Sequence, residues 1–123
     1  MSREVKTPGP DHSITIERNP HRVVVRVAGA VVADTTSALT LREAGYPRVE
    51  YIPWADVDTA RLRRSDTHTY CPYKRQASYY AVASPEEDTS RDAVWTYEEP
   101  YAAVDDIADH VAFYQEHAAF SSS

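Results

Sequence analysis

Apolar residues in this chain collect in short runs, and nearly every run is closed by a turn former. Such a pattern points to strands, with helix confined to single turns near residues 55–62 and 104–109. Ile14-Thr15-Ile16-Glu17 alternates with period two until Asn19-Pro20-His21 breaks it. Arg22 to Ala28 resumes with β-branched valines, Gly29-Ala30 makes a tight connection, and Val31 to Thr35 follows. These three runs read as consecutive strands of one antiparallel meander. Ser37 to Ala44 fits either a short helix or a strand, and strand is preferred. Val49 to Pro53 is a strand stopped by its proline. Thr67 to Tyr73 is β-prone, with Pro72 forcing an edge or a kink. Ala77 to Ala83, Ala93 to Tyr97 and His110 to Tyr114 complete the set. A polar loop is expected at Ser84 to Asp92 and a frayed tail at Ser121-Ser122-Ser123. The expected fold class is therefore mainly β, a sandwich or barrel of about eight short, mostly antiparallel strands.

The 123 residues are expected to form one domain, 1–123, with an ordered core over about 8–117 and enough length to bury it without disulfides. The single cysteine, Cys71, excludes an intrachain disulfide and any structural zinc site needing two cysteines. No charge-free run is long enough to cross a membrane, and Met1-Ser2-Arg3-Glu4 opens no secretory signal. A cytoplasmic protein with no membrane partner is expected, as a monomer or homodimer. A net charge of −6 argues against nucleic acid as a partner. There is no glycine-rich phosphate loop, nucleophile elbow or paired-histidine zinc motif, so no cofactor and no metal are expected. Residues 65–123 hold eleven acids against three Lys and Arg. Glu86-Glu87-Asp88, Glu98-Glu99 and Asp105-Asp106 read as solvated surface, or as a face for a basic partner.

The stretch from Ser65 to Tyr80 differs from ordinary β sequence. Six of the nine tyrosines lie between Tyr70 and Tyr101, with Trp95 among them. Tyrosine brings an apolar ring and a hydroxyl that needs a partner, so a cluster can fill a core or wall a pocket. Cys71 reads as a buried small hydrophobe, a thiolate helped by Lys74, or a ligand contact. His68 stands three residues before Cys71, but strand alternation puts the two on opposite faces. Lys74 is the strongest single candidate. A lysine enclosed by rings has a lowered pKa or an acidic partner, and could grip a carboxylate or phosphate or form a Schiff base. A snorkelling surface lysine is the alternative. Lys74 is expected to point inward and Arg75 outward, and Lys74→Met is expected to cost little stability.

Several stretches together resemble a known family. They are Gly9-Pro10-Asp11-His12, Val32-Ala33-Asp34-Thr35, Tyr51-Ile52-Pro53 with Asp56-Val57, and Thr69-Tyr70-Cys71-Pro72-Tyr73-Lys74. Ala77-Ser78-Tyr79-Tyr80, Ala93-Val94-Trp95-Thr96-Tyr97 with Pro100, and Val111-Ala112-Phe113-Tyr114 complete the pattern. From about Pro8 to Tyr114 the chain resembles the family called domain of unknown function 427, which also carries a nucleotidyltransferase-like label. The resemblance implies a β-rich domain similar to the folded-over sheets of Mss-four-like and methionine-sulfoxide-reductase-type proteins. It implies no settled reaction. The zinc-binding cysteine pairs of the fold's relatives are absent, as are a phosphate-cradling glycine loop and an obvious metal-binding carboxylate pair. The family pattern usually has glycine after the lysine, and here that residue is Arg75.

Three functions follow from these residues. The first is a small-molecule-binding β domain, possible as an enzyme on an anionic or carbonyl-bearing metabolite. Its pocket would use Tyr51, Tyr70, Tyr79 and Trp95 as ligand contacts and Lys74 and Cys71 as catalytic candidates. The second is a non-catalytic interaction module using the acidic second half. The third is a thiol redox protein using Cys71, which would need an outside thiol because no second cysteine can resolve it.

Overall fold

Valine-rich alternation becomes sheet in the computed structural model, which describes residues 6–10, 12–27, 29–82, 92–115 and 118–122. The strands are β1 (Ile14–Arg18), β2 (Val23–Val27), β3 (Ala30–Thr35), β4 (Leu39–Glu43) and β5 (Val49–Pro53). After them come β6 (Leu62–Cys71), β7 (Arg75–Val82), β8 (Asp92–Thr96), β9 (His110–Phe113) and β10 (Ala119–Ser122). Helix among the described residues is limited to short 3-10 turns at Trp54–Asp56, Thr59–Arg61 and Ala102–Ile107. No described helix is long and apolar enough to cross a membrane.

Seven strands pair in the order β1-β4-β5-β9-β8-β7-β6, and three more in the order β10-β2-β3. All neighbours are antiparallel. Two expectations are corrected here. The meander of β1, β2 and β3 does not form, because β1 pairs with β4, Ile14 opposite Glu43 and Arg18 opposite Leu39. Of these three strands, only β2 and β3 pair with each other, as a hairpin. The break comes at Asn19-Pro20: Asn19 N–H still donates to Ala38 O at 2.8 Å, but proline has no N–H to continue the ladder. Ser121 and Ser122 are not a frayed tail, and Ser123 lies outside the described residues. Phe120 lies opposite Val25 and Ser122 opposite Val23, so β10 satisfies the free edge of β2. Pairing therefore runs past the expected limit of residue 117 and brings the strands to ten among the described residues. The polar loop expected at Ser84 to Asp92 lies, up to residue 91, outside the described residues.

Two cores form on the two faces of the large sheet. Val23, Val25 and Val27 alternate inward from β2 and meet Ile52, Val94, Val111 and Phe113. Leu41, Tyr51, Ala77, Tyr97, Val104, Ile107 and Ala112 make the second core. Neighbours in sequence serve different cores, Tyr51 against Ile52 and Ala112 against Val111, because strand side chains alternate. The large sheet is strongly curled. β4 and β7 stand four strand steps apart in its order. A flat sheet would separate them by about 19 Å. Yet Glu43 at the end of β4 reaches Lys74, just before β7, at 2.5 Å. The N-terminal segment helps close the curl, with Lys6 N–H donating to Pro72 O at 2.8 Å.

Candidate functional site

The curl is closed by the turn between β6 and β7. Cys71 ends β6, Pro72 to Lys74 make the turn, and Lys74 N–H donates to Cys71 O at 3.3 Å. Arg75 restarts the ladder opposite Cys71. Its φ is 90°, in the region that favours glycine. A glycine would hold this turn without strain, and the chain keeps it with an arginine instead. The two basic neighbours part company at this point. Lys74 is 7% exposed. Arg75 is exposed, its guanidinium 5.7 Å from the Tyr101 ring centre and 4.0 Å from Glu99.

Lys74 does not stand alone in its aromatic surroundings. Its Nζ donates to Glu43 Oε1 at 2.5 Å and lies 6.0 Å from the Tyr97 ring centre. The second carboxylate oxygen, Oε2, accepts from His12 Nε2 at 2.6 Å. His12 stacks on Tyr73 at 4.1 Å with an interplanar angle of 11°. It is held there by mutual backbone bonds with Gly9 at 3.1 and 3.0 Å. Burial pushes the Glu43 carboxyl up, but the hydrogen bonds and charges of Lys74 and His12 outweigh it and hold the group below its ordinary value. These contacts argue for a larger cost of Lys74→Met than the sequence suggested. Methionine would leave a nearly buried carboxylate with His12 alone, and breaking a buried pair costs on the order of 3 kcal/mol.

Glu43 and Lys74 of this polar group line a cavity of about 880 Å³. Tyr79, Trp95, Tyr97 and Tyr114 line it, with Leu41, Val49, Phe113 and Phe120 supplying aliphatic and further aromatic surface. Tyr79 and Trp95 are register partners on β7 and β8. The Tyr114 ring lies parallel to Tyr79 at 6.5 Å and tilted on Trp95 at 4.5 Å. Tyr46, 66% exposed, and Arg48 also border the cavity.

Of the residues picked from the sequence, Cys71, Lys74, Tyr79 and Trp95 line this cavity. Cys71 is half-buried. Tyr51 and Tyr70 do not line it. Tyr51 is buried behind the wall and accepts the Trp95 indole N–H at 3.3 Å, so it fixes the tilt of that ring. Burial raises its phenol pKa, and burial does the same for Tyr97. Tyr70 lies on the other face of β6 from Cys71, as alternation requires, and its hydroxyl meets that of Tyr101 at 2.7 Å. Tyr79 is oriented by its neighbour strand, its hydroxyl 2.8 Å from that of Thr69.

Sequence reasoning missed Glu43, His12, Tyr97 and Tyr114. A signal for Glu43 was present: Leu39, Leu41 and Glu43 fall on one face of a strand, which places a carboxylate on an apolar face. Such an acid requires a buried cation. Among the described residues, no three His, Cys, Asp or Glu are grouped to hold a metal ion.

No curated protein matches this sequence. His12 aside, the whole site falls within residues 15–121, which match the family described as Domain of unknown function (DUF427), and with nearly its full length covered the chain belongs to that family.

Proposed function

We propose that the curled sheet binds a small molecule with an apolar or aromatic body and a carbonyl group, and acts on that group. One observation carries this reading: the ion pair of buried Lys74 with Glu43 lines an aromatic-walled cavity. Walls of this kind favour a flat ring system through burial and ring stacking. Glu43 already compensates the charge of Lys74, so a full anion gains less here than at an unpaired lysine. A carbonyl oxygen needs only an N–H donor, and an ammonium has three.

The test is a matched series of naphthalene, a naphthyl ketone and a naphthoate, titrated calorimetrically into the protein. The ketone is expected to bind at least tenfold more tightly than the hydrocarbon and more tightly than the carboxylate. Equal affinity for ketone and hydrocarbon would remove the role of Lys74. Absence of binding by all three would remove the pocket.

A further inference from the structure

Resting on that reading, we propose that Lys74 forms a Schiff base with an aldehyde or ketone held in the cavity, with Glu43 carrying the protons. The choice of residue is the first argument. The chain has two lysines, Lys6 and Lys74, against eleven arginines. An ion pair with Glu43 built only for structure would be served better by arginine, whose fork fits a carboxylate and never loses its proton. The buried cation is instead a lysine, which can become a neutral nucleophile.

The second argument is geometric. Nζ and Oε1 share a 2.5 Å hydrogen bond, a short path for a proton. A ligand filling the cavity lowers the dielectric around the pair. Two charges then lose ground against a neutral amine and carboxylic acid. His12 on Oε2 holds the carboxyl with Oε1 toward Lys74.

The step balances without an outside reagent. A proton passes from the ammonium to Glu43, and the amine lone pair attacks the carbonyl carbon. The new C–N bond pushes the carbonyl electrons onto oxygen, which takes the proton from Glu43. Glu43 then removes a second proton from nitrogen and returns it to the hydroxyl, which leaves as water. The product is a cationic iminium beside a restored carboxylate, so the charge pair in the cavity wall is preserved.

The experiment uses 2-naphthaldehyde with cyanoborohydride at neutral pH, followed by peptide mass mapping. Binding of 2-naphthalenemethanol, which cannot form an imine, is measured alongside. The reduced adduct is expected on Lys74 at least ten times faster than on Lys6. Glu43→Gln should slow trapping at least tenfold while alcohol binding persists. Lys74→Arg keeps the ion pair, and should bind the alcohol while losing the adduct. If the alcohol binds but Lys74 is trapped no faster than Lys6, the Schiff base is overturned and the pocket stands. If neither compound binds, both fall.

Discussion

Arg75 offers a sharp test of how the site turn is built, because its φ of 90° reverses an ordinary preference. The perturbation is a pair of variants, Arg75→Gly and Arg75→Ala. Both lose the same exposed contacts, the 5.7 Å approach to the Tyr101 ring and the 4.0 Å pair with Glu99, so these cancel in the comparison. An L residue held at this φ carries roughly 1–2 kcal/mol of strain that glycine does not. Glycine's extra freedom when unfolded costs roughly 0.5–1 kcal/mol relative to alanine. The difference leaves the glycine variant more stable by roughly 0–1.5 kcal/mol, centred near about 0.75 kcal/mol, a Tm higher by about 3 °C in a chain of this size. In an ordinary strand position the order would be the opposite. Urea unfolding of the two variants, checked by differential scanning calorimetry, reads the sign directly. If the alanine variant is the more stable, the strained turn is wrong.

Acid should weaken the fold through Glu43. Its folded pKa is depressed, so its contribution is present above the ordinary 4.5 and is lost as pH falls through the folded value. Glu43→Gln should flatten that part of the stability curve measured by urea titration at stepped pH. At the alkaline end, Tyr51 and Tyr97 resist ionisation because they are buried, so stability should fall as pH rises past the ordinary 10.0. Absorbance at about 295 nm should show two of the phenols ionising only as the protein unfolds. Lys74→Met should destabilise by about 3 kcal/mol, and Lys74→Arg by clearly less, in the same urea assay. Tyr51→Phe should cost about 1 kcal/mol for the lost Trp95 indole bond, read by calorimetry.

Much of this architecture could be read from the chain because strands announce themselves locally. Val23 to Val27 shows its inward face by alternation, and Pro53 marks the end of Val49 to Pro53. Pairing is a long-range property and was less visible. Nothing near Ile14 says that its partner is Glu43 rather than a residue of β2. Nothing in Ala119-Phe120-Ser121-Ser122 says that the free edge of Val23 to Val27 will claim it. The site divides in the same way. Cys71, Lys74, Tyr79 and Trp95 stood out through local composition, but Glu43 and His12 join them only because the sheet curls through four strand steps. Tyr70 was misplaced for a local reason, since its neighbour Cys71 takes the cavity face and alternation sends Tyr70 to the other.

The central claim is that a ligand sits in the aromatic cavity lined by Lys74 and Glu43. An NMR titration of the labelled protein with a naphthyl ketone locates the binding surface most directly. The account predicts saturable shifts concentrated on Cys71, Lys74, Trp95 and Tyr114, with His68 and Tyr101 unmoved. Shifts centred on the outer face of β6, or none at concentrations that saturate the cavity, would contradict it.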